Sequence, residues 1–288
     1  MPGEVLQLLV NGLIAGILIA VPAIGFTTIY AVLRFPNFAI ASHITIGAFA
    51  GYAANHYLGL PVALALTAAF LVAGLVGATT DEWILKPMRP HGALIAAIAA
   101  IALTVVLENV IRFGFGNDLR GFDLPIFRDW RFGPVRVGPQ QLENAALAIL
   151  IMLLVFAFLA FTRAGKAMRA VADNPTLAAI KGIDPDVIGR AASFVGMGLA
   201  GIGGVLLGLD TSIDPLTGFR AVLTVFAAAV VGGLGSIPGA VVGALVVGLG
   251  EELSLLAVAP TYRSAIGFLA ILAVLTLRPR GLFGERAY

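Results

Sequence analysis

An all-α membrane protein, a polytopic bundle of transmembrane helices, is the fold class this sequence predicts. Of its 288 residues 59% are hydrophobic and only 12% charged, with a mean hydropathy of +1.00; soluble domains carry about 25% charged residues. The apolar residues fall in repeated runs near the ~20 that a helix needs to cross roughly 30 Å of hydrocarbon. Many of the 35 glycines lie inside those runs four apart, as in Gly12/Gly16, Gly47/Gly51, Gly204/Gly208 and Gly239/Gly243. That spacing puts small residues on one helix face, where backbones pack closely in lipid. A sharper reading lets some of these glycines serve helix sliding or flexing.

The first run, 5–33, is long and contains Pro22, so it is expected to tilt or break. The N-terminus, residues 1–13, carries Glu4 and no basic n-region, which reads as a retained first span and not a cleaved signal peptide. Further spans are expected at 37–57, 60–80, 92–112, 142–162 and 190–209, then a short one at 220–234, and 237–258 and 261–277. The count is nine, within a range of eight to ten, in a single transmembrane domain over 1–288. Residues 232–239 hold four glycines and a proline and should break a helix; broken helices at membrane depth are tolerated only against protein or a cavity.

Orientation follows from the basic loops. Lys86 and Arg89, the 163–190 loop, and Arg278, Arg280 and Arg286 are assigned to the cytoplasm by the positive-inside rule. The 113–141 loop is then outside. Its Gly, Pro and aromatic residues suggest a small packed cap with short strands, basic (Arg112, Arg120, Arg128, Arg131, Arg136) with interspersed Asp118, Asp123 and Asp129. An odd number of spans places the N-terminus outside; a first segment crossing twice would place it inside. In the 163–190 loop, Asp-Asn-Pro at 173–175 and Gly-Ile-Asp-Pro at 182–185 read as turns between short helices.

Several chemistries are excluded. Without cysteine there is no disulfide, thiolate metal site or cysteine nucleophile. The basic residues are scattered over loops, which argues against nucleic acid. Gly196-Met-Gly198-Leu-Ala-Gly201 matches a dinucleotide fingerprint by letter but lies in an apolar helix and is discarded. Gly165-Lys166 fails as a phosphate-binding loop because Ala160 and Ala167 occupy its defining positions. ATP, if used, must therefore bind another polypeptide. His43, His56 and His91 lack metal spacing, so no metal site and no catalytic residue is assigned.

Polar groups within the first two segments are the candidates for a solute pathway: Asn11, Thr27, Thr28, Tyr30, Asn37, Ser42, His43 and Thr45. Polar residues at depth face the bundle or a water-filled path, and about half of these should instead make interhelical hydrogen bonds. His43 is first read as packed and hydrogen-bonded, with solute contact as the alternative; His91 is read as solvated. Glu108 precedes Arg112 by four, the favourable order for a helical ion pair, and Glu251 and Glu252 could meet Arg263. Paired structural charges are the first reading, a proton relay the second.

In order along the chain stand Ile29-Tyr30-Ala-Val-Leu with Asn37-Phe38-Ala39, Lys86-Pro87-Met-Arg89, and Ala170-Val-Ala-Asp173-Asn-Pro175 with Gly182-Ile183-Asp184. Val230-Val-Gly232-Gly233-Leu-Gly235-Ser236-Ile237-Pro238-Gly239 and Arg278-Pro279-Arg280-Gly281-Leu282-Phe283-Gly284 complete the set. With these the chain resembles the LivH-type permeases of branched-chain amino acid ABC importers over essentially its full length. The resemblance implies a second permease subunit, two ATPase subunits that bind ATP and Mg²⁺, and a periplasmic or extracellular solute-binding protein, in the bacterial inner membrane. It implies no cofactor on this chain and no covalent chemistry. It also places an ATPase-coupling helix over Gly165–Gly182, with Gly165, Arg169, Asp173, Asn174, Pro175, Lys181 and Gly182 as its candidates. The family's Asn-Phe-Ala is typically followed by His-Gly; here Ile40-Ala41 follow, then Ser42-His43. That departure leaves the solute open among branched-chain amino acids and related small polar molecules. Two alternatives stand beside it: a self-sufficient ion-coupled carrier using Glu108, Glu251 and Glu252, and a structural subunit without a pathway.

Overall fold

The computed structural model describes residues 2–123, 128–278 and 280–284. Twelve α-helices run in order. They are α1 (Pro2–Leu33), α2 (Ile40–His56), α3 (Val62–Thr80), α4 (Lys86–Met88), α5 (Ala93–Phe115), α6 (Pro139–Phe161), α7 (Arg163–Asp173), α8 (Pro175–Ile180), α9 (Pro185–Asp210), α10 (Thr217–Gly232), α11 (Ile237–Ser254) and α12 (Arg263–Leu277). A π turn (Asp81–Leu85) joins α3 to α4, and a hairpin of β1 (Trp130–Phe132) and β2 (Val135–Val137) precedes α6.

All nine expected segments are helical. Six of them, α1, α3 with its extension to His91, α5, α6, α9 and α11, are long and apolar enough to cross a membrane among the described residues. α2, α10 and α12 have 17, 16 and 15 residues, roughly 22–26 Å at about 1.5 Å per residue. α2 starts late because the chain leaves the helix at Arg34 (φ 58°) and Pro36 follows; the Arg34 guanidinium donates to the carbonyl of Ala172. α10 ends early at Gly232 because Gly233 takes φ 107°.

The expected break in the first segment does not occur: α1 is one helix of 32 residues with Pro22 inside it. A proline in a helix loses one backbone bond and needs room for its ring. α9 provides the room at Gly203, where a Cβ would lie 2.7–2.9 Å from the Pro22 ring atoms. α9 is the central element, with 83% of its apolar window buried against 33% for α6, and it packs on α1, α2 and α3. At Gly25/Gly196 an added Cβ on either partner would strike the facing carbonyl; at Gly47 it would strike Gly201, whose own Cβ would instead meet Ala73 and Ala69 of α3. The Gly196–Gly201 triplet is thus packing surface, buried throughout. By contrast α5, α6 and α12 expose Ile98, Val105, Leu150, Leu153, Leu269 and Leu272, an apolar exterior suited to lipid.

The break expected over 232–239 occurs: α10 ends at Gly232, a turn spans 233–236, and α11 begins at Ile237. Leu282 and Phe283 donate backbone N–H groups to the carbonyls of Val231 and Gly232, both at 2.9 Å. This places the turn at the end that carries Arg278 and Arg280. At the opposite end, Gln7 Nε2 donates to the Arg136 carbonyl at 2.9 Å and the Arg136 N–H donates to Gln7 Oε1 at 2.7 Å. The start of α1 and the 113–141 cap therefore share one side. The cap has the short strands its sequence suggested, with Trp130 opposite Val137; its residues 124–127 lie outside the described ones, as does Arg286.

Candidate functional site

The eight pathway candidates do not form one cluster. Asn11 is half-buried at the end that carries the 113–141 cap, its Oδ1 accepting from Gln7 Nε2 at 2.9 Å. It lines a polar recess of about 330 Å³ together with Gln7, Asp129, Arg136, Gln140 and Asp210. Tyr30 is half-buried towards the other end of α1. Thr27, Thr28, Asn37, Ser42, His43 and Thr45 are all buried.

Three of these six use their hydroxyls in structure. Thr28 Oγ1 donates to the Ile24 carbonyl and Ser42 Oγ to the Ala39 carbonyl, each at 2.8 Å. Thr45 Oγ1 accepts from the Gly218 N–H at 3.0 Å, which joins α2 to the start of α10. His43 Nδ1 donates to the Ala39 carbonyl at 2.7 Å, so its tautomer is fixed by its own helix. Asn37 Oδ1 accepts from the Ala39 N–H at 3.1 Å. Thr27 Oγ1 and Asn37 Nδ2 have no hydrogen-bond partner among the described residues.

Ser193 Oγ on α9 and Asn144 Nδ2 on α6 are buried and unpartnered in the same way. Sequence reasoning passed over both, although each is an isolated polar residue in an apolar run, the signal that singled out His43. It also passed over Thr104, whose single hydroxyl proton is shared between the Ala100 carbonyl of its own helix at 3.0 Å and the Phe38 carbonyl of the 34–39 segment at 3.2 Å. His56 Nδ1 lies 2.6 Å from Asp123 Oδ2, a partner supplied by the cap. His91 is exposed.

The acids divide. Glu108 is buried, with Oε1 unpartnered, and the described contacts include no ion pair to Arg112, whose Nε is also unpartnered. The expected helical pair is therefore not closed. Glu251 Oε1 accepts from Thr224 Oγ1 on α10 at 2.9 Å, and both Glu251 and Glu252 are buried. The side chain of Arg263, their expected partner, lies outside the described residues.

The 163–190 loop folds as its turn residues predict. Thr162 caps α7 by accepting from the Gly165 N–H at 3.0 Å, and Asn174 caps α8 by accepting from the Leu177 N–H at 2.9 Å. Side-chain caps of this kind satisfy donors that the first helical turn leaves free. Gly182, at φ 84°, ends α8: its N–H reaches the Ala179 carbonyl and that of Ile183 reaches Ala178. This double bond pattern needs a left-handed residue after the helix. Gly165 is buried against the end of α6, where a Cβ would meet Leu159. Arg169, Asp173, Asn174, Pro175, Lys181 and Gly182 are exposed. So are two large apolar residues of α8, Leu177 at 54% and Ile180 at 77%.

Comparison with known proteins gives one consistent result. Residues 8–275 match the family described as branched-chain amino acid transport system / permease component. The chain is similar to the high-affinity branched-chain amino acid transport system permease protein LivH of Escherichia coli, 32% identical over 296 residues, covering 97% of this chain and 96% of LivH. It is 31% identical to the corresponding protein BraD of Pseudomonas aeruginosa over 294 residues, with 97% and 96% covered. Among solved structures it resembles a chain of PsaBC from Streptococcus pneumoniae, determined in complex with Fab, with a TM-score of 0.53, 16% identity and 98% of each chain covered. That likeness concerns the fold alone. With nearly its whole length matched by the family model and by relatives above 30% identity, this multi-pass membrane protein belongs to the permease-component family of branched-chain amino acid transport systems.

Proposed function

We propose that this chain is one half of the translocation pathway of an ATP-driven importer for branched-chain amino acids or related small polar solutes. It performs no covalent chemistry. ATP and Mg²⁺ bind two ATPase subunits, which dock at α7–α8; a second permease subunit completes the pathway, and a solute-binding protein delivers solute from the periplasm or cell exterior. The membrane is the bacterial inner membrane. α8 is the observation that carries the reading. It is a six-residue helix closed at both ends by side-chain and glycine caps, and it presents Leu177 and Ile180 outward among Arg169, Asp173 and Lys181. Apolar side chains ringed by charge suit a protein partner.

Inside the bundle, the unpartnered Thr27, Asn37, Asn144 and Ser193 favour a polar route through α1, the 34–39 segment, α6 and α9. An unpaired buried polar group costs about 1–3 kcal/mol, and a passing solute or water would offset that cost. An ion-coupled carrier is less well supported. Glu251 is engaged by Thr224, and a relay needs several acids deep in the bundle.

Affinity purification of the tagged chain in mild detergent, with every co-purifying subunit identified by mass, tests the proposal. The expected set is a second permease, two ATPase copies and the binding protein. Gly182→Pro, which cannot adopt φ 84°, and Asp173→Arg should both lower ATPase recovery and uptake. Recovery of this chain alone, still moving solute in liposomes without ATP, would refute the importer.

A further inference from the structure

Glu82 and Lys86 on one side, and Asp186 and Arg190 on the other, are brought together from segments a hundred residues apart. Lys86 Nζ lies 2.9 Å from Glu82 Oε1 and 3.1 Å from Asp186 Oδ2, and Arg190 Nε lies 3.8 Å from Glu82 Oε2. Together they line a recess of about 150 Å³ that also contains Pro175 of α8. Glu82 belongs to the π turn, where Lys86 N–H reaches the Asp81 carbonyl five residues back; π turns in helices often accompany functional sites. The same turn holds a different kind of pair in Asp81, only 2% exposed at its side chain and bonded to Arg89 of the same connection.

We propose that Glu82, Lys86, Asp186 and Arg190 are positioning residues for transport, forming a latch that closes α9 and the α7–α8 unit onto α3 in one state of the cycle and opens in another. The inference rests on the importer reading above and concerns how a movement at α8 reaches the bundle.

Magnitude separates a latch from a rigid strut. The side chains of Asp186 and Arg190 are 68% and 50% exposed. Ion pairs at such exposure shift an equilibrium by about fivefold or less each, enough to bias two states and too little to hold one permanently. Asp81–Arg89, buried and within one connection, is the fixed point about which the exchange occurs. Above it α3 continues to Gly77, where a Cβ would lie 2.5 Å from Met197 Cγ of α9 and 3.5 Å from His43 Cδ2 of α2. A shift of α3 against α9 is therefore felt at the pathway candidates of α2. Packed helices switch between discrete arrangements of this kind and do not deform smoothly.

The test uses the complete complex in proteoliposomes. This chain has no cysteine, so E82C/R190C gives a defined pair for a short bis-methanethiosulfonate, which joins two thiols through disulfides with loss of sulfinate and is cleaved by reductant. K86C/D186C, with the same readouts, serves if the first variant does not assemble. Cross-linking should be efficient without nucleotide and fall by up to about fivefold with a non-hydrolysable ATP analogue and Mg²⁺, the bias expected of the one pair each variant keeps, Lys86–Asp186 or Arg190–Glu82. Cross-linked complex should lose the ATP-driven leucine uptake that the same variant shows before cross-linking and regain it on reduction, while identical treatment leaves each single-cysteine variant at its own untreated level. Equal cross-linking in both nucleotide states, no cross-linking although both thiols are labelled, or undiminished uptake by the cross-linked complex would each overturn the latch. A wild-type complex without ATP-driven uptake would instead overturn the importer reading, and the latch with it.

Discussion

Thr45 of α2 accepts a hydrogen bond at 3.0 Å from the backbone N–H of Gly218, at the start of α10 and 173 residues away. Thr45 is fully buried and Gly218 also lies within the core. The bond satisfies one of the N–H groups that the first turn of a helix cannot pair internally. Thr45→Val keeps the shape and removes the acceptor, so it should cost about 1–3 kcal/mol. Thermal unfolding in detergent should show the loss, and Thr45→Ser should recover most of it.

Gly203 and Gly114 make opposite predictions for the same substitution. Gly203→Ala puts a methyl group against the Pro22 ring, whereas an added Cβ at Gly114 meets nothing within 4 Å. Overpacking costs about 1–3 kcal/mol, while alanine gains up to about 1 kcal/mol over glycine in a helix. Gly203→Ala should lower the unfolding midpoint and Gly114→Ala should leave it unchanged or raise it.

Leu177 and Ile180 contribute little to this chain's own packing, given their exposure. Leu177→Asp with Ile180→Asp should leave expression and the unfolding midpoint within about 0.5 kcal/mol of wild type. The same change should abolish co-purification of the ATPase. A fall in stability with retained ATPase would place these residues in the fold and not at a docking surface.

Asn174 tests the cap separately from the surface. Asn174→Ala removes the acceptor for the Leu177 N–H and should destabilise α8 locally by about 1 kcal/mol. Hydrogen exchange should quicken across 175–181 while the rest of the bundle keeps its protection. Asn174→Asp, which retains the acceptor, should exchange like wild type.

Helix positions were legible in the sequence because a lipid-embedded helix must be apolar for nearly its whole length, and the turns at 173–175 and 182–185 because their residue types act on neighbours. Whether Pro22 would break α1 depended on Gly203, 181 positions away, so local rules left a tilt and a break both open. The π turn at 81–85 has no local signature, and Lys86–Asp186 and Arg190–Glu82 arise only when α9 packs beside α3. Pathway candidates were chosen as polar residues in apolar runs, a rule that finds burial correctly. It does not tell Thr45, held by Gly218, from Thr27, which has no partner among the described residues.

Leucine uptake into proteoliposomes by the co-purified complex, with ATP and ion gradients varied independently, tests the importer most directly. The account predicts uptake that requires ATP and persists when proton and sodium gradients are collapsed, with Glu251→Gln still dependent on ATP. Uptake that continues without ATP and disappears with the ion gradient would contradict it.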